Sequence, residues 1–524
     1  MGGAVLGYNE RIANITNVIK PMNENLYALL ASRFPSDDHA PCMILADGRI
    51  WTYGDIARAS ARMAHLIVAL GLKAGDRVAA QVEKTPEALL LYLATLRAGM
   101  VFLPLNPAYQ RHEIDYFLKD AEPGLFVCRP QNRALAEELA GQAGVPHVLE
   151  LGDDGRGSLI AAAAPFADDF ACVPRKGADL AAILYTSGTT GRSKGAMLSH
   201  RNLAANAEVL HAYWQFKPGD VLLHMLPIFH VHGLFVACHC ALLNGSAMLF
   251  EAKFDARRAV SLLQRATVFM GVPTYYVRLL SEPGFNRSAC GHIRLFVSGS
   301  APLLKETFDA FRERVGHTIL ERYGMTEGGM FSSNPYTGER RGGTVGFPLP
   351  GTRILTTAAN GQAMPAGEVG QILVKGENVF VGYWRMPEKT VEEFTGDGFF
   401  KTGDMGRFDA DGYLSIVGRS KDLIISGGLN VYPKEVEEVI DALPGVAESA
   451  VIGLPHPDFG EAVNAVVVRR QDAAGAALSE AAVIQALKGE LANFKIPKRV
   501  FIVDDLPRNA MGKVQKNLLR TQFS

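Results

Sequence analysis

Tyr185-Thr186-Ser187-Gly188-Thr189-Thr190-Gly191-Arg192-Ser193-Lys194-Gly195 follows an apolar run at 180–185 (LAAILY) and leads into Ala196-Met197-Leu198. Glycines let backbone N–H groups turn toward one point, Ser and Thr hydroxyls add donors, and Lys194 adds a compact positive charge. The stretch is suited to cradling a polyphosphate. It is not a Walker A loop, because Lys194 follows Ser193 and precedes Gly195. A solvated surface loop is the bland reading, and the ordered run of donors between two apolar segments argues against it.

Outward from this loop, strand and helix signals alternate. Residues 54–72 carry apolar positions at helical spacing and close on glycine; 77–82 reads as a strand and 85–99 as a helix. Short apolar strands follow at 101–105, 124–128, 246–250, 268–272 and 294–298. The alternation predicts an α/β fold, with parallel-type sheets covered by helices. From about 344 the texture shifts to short β runs such as 370–375 and 413–417, a smaller β unit. A glycine-bearing junction spans 418–430. A compact α+β pattern follows: helix 433–442 opening on a proline, strands 447–453 and 464–469, helix 479–492 and strand 499–504. The expected domains are 1–420, a large N-terminal body, and 421–524, a mobile lid.

The 524 residues include 53 basic and 54 acidic side chains, a formal net charge of −1. One hydrophobic core does not serve a chain of this length. A balanced charge gives no general field for nucleic acid or anionic lipid, so any anionic ligand needs a local site. Six scattered cysteines do not make a disulfide framework. Cys238-His239-Cys240 looks like a metal fragment, but the spacing fits buried thiols better. Neither a signal peptide nor a spanning helix is evident, so a soluble, cytoplasmic protein is expected. Monomer and homodimer both stay open.

Four further motifs stand in order: Glu321-Arg322-Tyr323-Gly324-Met325-Thr326-Glu327, Lys401-Thr402-Gly403-Asp404, Gly418-Arg419-Ser420-Lys421-Asp422 and Pro507-Arg508-Asn509-Ala510-Met511-Gly512-Lys513. With the loop, they make the chain resemble the AMP-forming acyl-CoA synthetases over nearly its whole length. The resemblance implies activation of a carboxylate by ATP, with Mg²⁺, followed by transfer to coenzyme A. It implies ATP contacts at Thr186, Ser187, Gly188, Thr189, Thr190, Gly191, Lys194, Ser300, Ala301, Pro302, Glu321, Arg322, Tyr323, Gly324, Asp404 and Arg419. Lys513 is implied as the catalytic lysine, Glu327 as the magnesium ligand, Thr326 as an α-phosphate donor and His230 as a gate between carboxylate and thiol. Lys421 matches the hinge, and Ser426-Gly427-Gly428 the coenzyme A approach. Acetylation of Lys513 would remove the charge that adenylation needs.

Within the family, Gly271 to Leu280 and Arg294 to Leu303 resemble malonyl-CoA synthetases. Arg278 is the expected partner of a second carboxylate, since an arginine in an acyl pocket is costly unless it meets an anion. Ser298 and Gly299 are expected beside it. Gly328-Gly329 departs from the pattern and is expected to enlarge the pocket, admitting methylmalonate or other substituted malonates. The first 24 residues extend beyond the usual start of the resemblance. Three alternatives stay open: a medium-chain or aromatic acyl-CoA synthetase, an adenylating enzyme that loads a carrier protein, and a silent nucleotide-binding protein.

Overall fold

The structure is a computed structural model; it describes residues 23–186, 193–426, 429–456, 459–488, 490–491, 493–509 and 512–524. A seven-stranded sheet runs in the order Gly382–Tyr383, Lys194–Ser199, Leu180–Thr186, Val101–Pro104, Arg77–Gln81, Leu125–Cys128, His147–Glu150. Its βα part is parallel, and Lys194–Ser199 returns antiparallel to Leu180–Thr186 across the phosphate-loop hairpin. Near-continuous apolar strands are what a sheet covered on both faces requires; Val101–Pro104 and Leu125–Cys128 are buried throughout.

A nine-stranded sheet contains the parallel neighbours Leu320–Met325, Leu295–Ser298, Val268–Gly271, Val221–His224 and Ala247–Phe250. The expected helix at 54–72 is Tyr53–Ala69, started by a capping box in which Thr52 and Asp55 satisfy each other's backbone. The smaller β unit is a four-stranded antiparallel sheet, Arg353–Thr357, Gly370–Lys375, Phe400–Phe408 and Leu414–Arg419. A 3₁₀ turn, Ser420–Asp422, then carries Lys421 toward the last sheet.

That last sheet joins Leu429–Val431, Ile424–Ser426, Gly460–Arg469 and Val446–His456, with Arg499–Val503 parallel to Gly460–Arg469. It has its own core of Ile424, Val436, Ile440, Val451, Val463, Val467 and Leu487. The helix expected over 479–492 is shorter, Glu480–Leu487, because its backbone leaves helical geometry at Lys488. Among the described residues, no helix is long and apolar enough to cross a membrane.

Candidate active site

The nucleotide half is assembled by strand register. Asp404 and Arg419 are cross-strand partners, and Arg419 Nε lies 2.7 Å from Asp404 Oδ1. Tyr323 donates its hydroxyl to Asp404 Oδ2 at 2.5 Å. Asp404 is buried, so this is not an exposed ion pair of small value. Each carboxylate oxygen keeps a lone pair for a further donor, such as a ribose hydroxyl.

Thr326 and Glu327 sit at the tip of a hairpin between Leu320–Met325 and Gly329–Ser333. Gly329 has φ +64°, the left-handed position that a tight hairpin loop demands. Glu327 is buried; burial pushes its carboxyl above the ordinary range, and Tyr383 donates a hydroxyl to its Oε1 at 3.0 Å. Among the described residues no three His, Cys, Asp or Glu side chains gather as a metal cluster. One buried carboxylate fits Mg²⁺, which takes one or two carboxylates and fills its sphere with phosphate oxygens and water.

Of the phosphate loop, Thr186, Ser193 and Lys194 are described; Ser187, Gly188, Thr189, Thr190 and Gly191 lie outside the described residues. Tyr116 donates to the Ser193 carbonyl at 2.8 Å and Tyr185 to Asp120 at 2.5 Å, which ties both ends of the loop to helix Arg111–Ala121. Lys194 Nζ lies 3.4 Å from Glu393 and 4.2 Å from the centre of the Tyr383 ring.

Lys513 follows Gly512, whose φ of +75° closes a turn that returns the Gly512 N–H to Asn509 O at 2.9 Å. Arg508 clamps this turn by donating to Gly512 O at 2.6 Å and by pairing with Glu448. A Cβ on Gly512 would stand 3.4 Å from Thr274, so the loop rests against helix Pro273–Leu280 of the body. Lys513 is exposed to solvent. Crowding by the cleft walls, then the charges of Arg419 and Lys421, pull its pKa down to about 8.

On the other side of the hairpin strand lies a second polar centre. Strand alternation sends Arg322 away from Tyr323. Its guanidinium is buried beneath Gly299, where any Cβ would overlap it. Arg322 Nε and Nη2 have no hydrogen-bond partner among the described residues; neither do Ser298 Oγ and His232 Nε2, all of them buried. His232 Nδ1 lies 3.2 Å from Ser300 Oγ, and Ser300 holds φ +74°, a strained value for a non-glycine residue. Burial, then Arg322 and Lys513, lower His230 to about 4; His232 is also pushed down, so both imidazoles are neutral at pH 7. Glu321 is buried too: burial raises it to about 8, the charge of Arg322 opposes that rise, and its Oε1 accepts the Leu303 N–H at 3.1 Å, propping the turn that contains Ala301 and Pro302. The pocket is therefore rich in unpartnered donors, and Glu321 Oε2 is a buried acceptor that also has no partner among the described residues.

Two placements bear on the expected acyl pocket. Arg278 lies on the exposed side of its helix, near the Tyr275 phenol, and the buried guanidinium is that of Arg322. Gly328 and Gly329 do not enlarge a pocket: the Phe331 ring fills the space over Gly328 and the Asn206 amide fills that over Gly329. The Gly328 carbonyl also accepts from Asn378 at 2.7 Å, so the wall is tied rather than loose. A cavity of about 10 Å³ beside it has room for a water at most. Cys238 and Cys240 are buried core thiols, and His239 Nε2 meets the Tyr92 hydroxyl at 2.8 Å. Ser426 is buried at a strand end, while Gly427 and Gly428 lie outside the described residues. Tyr383 and His232 were missed in the sequence. Tyr383 gave no signal there; His232 stood two residues after the expected gate.

The large α/β body and the smaller C-terminal unit with its own core together have the fold of an adenylate-forming enzyme. The chain belongs to the AMP-binding enzyme family: the family's profile matches residues 30–384, and that of its C-terminal domain matches residues 435–513. Among solved structures it is similar to ATP-bound MatB from Rhodopseudomonas palustris, with 55% identity over 96% of this chain and 99% of that chain and a TM-score of 0.93. The apo form of MatB has the same identity and coverage but a TM-score of 0.83, so the parts here are arranged more as in the ATP-bound form. Malonate–CoA ligase of Arabidopsis thaliana is 34% identical over 91% of this chain and 85% of that protein. A feruloyl-CoA synthase of Amycolatopsis sp is 35% identical over 91% and 94%. At that distance identity does not decide the acyl group, and the pocket must.

Proposed function

We propose that this enzyme ligates malonate to coenzyme A through a malonyl adenylate, releasing AMP and pyrophosphate. The observation that carries the acyl choice is Arg322, a buried guanidinium with two N–H groups that have no partner among the described residues. A charge left this way is costly unless a ligand anion completes it. Malonate keeps a second carboxylate after adenylation, and Arg322, Ser298 and His232 would receive it. Arg278 stands nearer the pocket rim. The match to malonate–CoA ligase of Arabidopsis thaliana supports the same reading.

At the reacting carboxylate, Lys513 bridges the two anions and Thr326 donates to the α-phosphate. Asp404 and Arg419 fix the ribose, and Tyr323 offers its face to adenine. Glu327 would hold Mg²⁺, which supplies positive charge to the phosphates when bound. His230, neutral, would divide the carboxylate from the thiol. The lid, turning at Lys421 between parts 1–420 and 421–524, would then withdraw Lys513 and bring Ser426, Gly427 and Gly428 to the thiol path. Residence in the cytoplasm belongs to the same reading.

ATP–pyrophosphate exchange with malonate, methylmalonate, acetate, octanoate and benzoate tests it. Exchange strongest with malonate supports the dicarboxylate reading. Strong exchange with octanoate or benzoate and none with malonate would return the protein to the alternative classes.

A further inference from the structure

One short segment touches both halves of the phosphate site. Gly382–Tyr383 pairs with the strand that begins at Lys194, with Tyr383 opposite Ala196, and Trp384 N–H reaches Gly195 O at 2.8 Å. At its other end, Phe380 N–H donates to the Glu327 carbonyl at 2.8 Å. Helix Pro387–Glu393 is tied to the same segment, since Thr390 Oγ1 accepts the Tyr383 N–H at 2.9 Å and Glu393 reaches Lys194. Tyr383 lies buried in the middle. Its ring carries Lys194 Nζ at 4.2 Å from the centre, and its hydroxyl donates to Glu327 at 3.0 Å.

We propose that Tyr383 is a positioning residue for the metal–nucleotide complex, holding the phosphate-loop lysine with its ring and the metal-binding carboxylate with its hydroxyl. A cation over an aromatic face is attracted without being neutralised, so Lys194 keeps its charge for phosphate. A hydroxyl donated to one oxygen of Glu327 fixes the carboxylate's rotation and leaves lone pairs on both oxygens for a cation. The two functions are separable, because phenylalanine retains the ring and lacks the hydroxyl.

The inference rests on Glu327 being the metal ligand, but not on the acyl substrate, so its test omits any carboxylic acid. A non-hydrolysable ATP analogue is titrated calorimetrically without metal, and Mn²⁺ is then titrated into the loaded protein by electron paramagnetic resonance. Tyr383→Phe should bind the analogue within threefold of the unmodified chain, and Mn²⁺ more than threefold more weakly. Tyr383→Leu should in addition weaken the metal-free analogue more than threefold. Mn²⁺ binding by Tyr383→Phe within threefold of the unmodified chain overturns the hydroxyl's role. Equal analogue binding by Tyr383→Leu and Tyr383→Phe overturns the ring's role. Glu327→Gln is the separate check: unchanged Mn²⁺ affinity there removes the metal-ligand reading itself, whatever Tyr383 does.

Discussion

Gly299 lies directly over the guanidinium of Arg322, so closely that a methyl group at position 299 would overlap it. A side chain at position 299 and the guanidinium in its present place exclude each other. Gly299→Ala should push Arg322 out of place and cut kcat/KM for malonate by roughly tenfold or more, the scale of one misplaced charge-assisted hydrogen bond. Steady-state assays with malonate and acetate check this. Wild-type malonate kinetics in the variant would show that Arg322 is not held by this contact.

Asp404 receives Tyr323 on one oxygen and Arg419 on the other. Asp404→Asn keeps the shape but removes the charge that faces Arg419 and replaces one acceptor oxygen by an NH2 donor. The KM for ATP should rise by about tenfold or more, from loss of hydrogen bonds to a charged group. The KM for malonate should move much less. Parallel increases in both would point to general loosening instead of a ribose contact.

Lys513 is held at about 8 by the cleft walls and the neighbouring cations. An amine carries its charge below its pKa, so adenylation that depends on this charge falls as pH rises through about 8. Glu321 titrates in the same range, at about 8, whereas His230, at about 4, does not. Lys513→Arg distinguishes them: its residual pyrophosphate exchange should lose the fall near pH 8. An unchanged profile in that variant would assign the fall to Glu321.

Phe331 fills the space over Gly328. Gly328→Ala should overpack this wall and lower stability by about 1–3 kcal/mol. Adding Phe331→Leu should restore much of the melting temperature. The ratio of malonate to methylmalonate activity should stay within about twofold in Gly328→Ala, because the cavity this glycine lines has room for a water at most. A large shift in that ratio would reinstate the glycine pair as a pocket wall.

The nucleotide half was legible in the sequence because its residues fall in ordered motifs, and strand pairing alone brings Asp404 and Arg419 together. The acyl half was less so. The alternation of strand Leu320–Met325 tells that Arg322 and Tyr323 part company, but not which of them faces adenine. Arg278 is exposed on its helix, one turn after Thr274, which faces the Lys513 loop, whereas the burial of Arg322 carries no signal in the sequence. Gly328-Gly329 read as missing volume, since what fills it comes from Asn206 and Phe331, the former over 120 residues away in the chain. Tyr383, a lone aromatic between glycine and tryptophan, carries no signal until Lys194 and Glu327 are seen around it.

The central claim is that Arg322 selects a second carboxylate. The direct measurement is pyrophosphate exchange with malonate and with acetate, for the unmodified enzyme and for Arg322→Gln. The account predicts that kcat/KM for malonate falls by roughly thirtyfold or more, from loss of a charge-assisted pair, while acetate changes by less than about threefold. Equal losses for the two acids, or malonate activity untouched by the substitution, would contradict it.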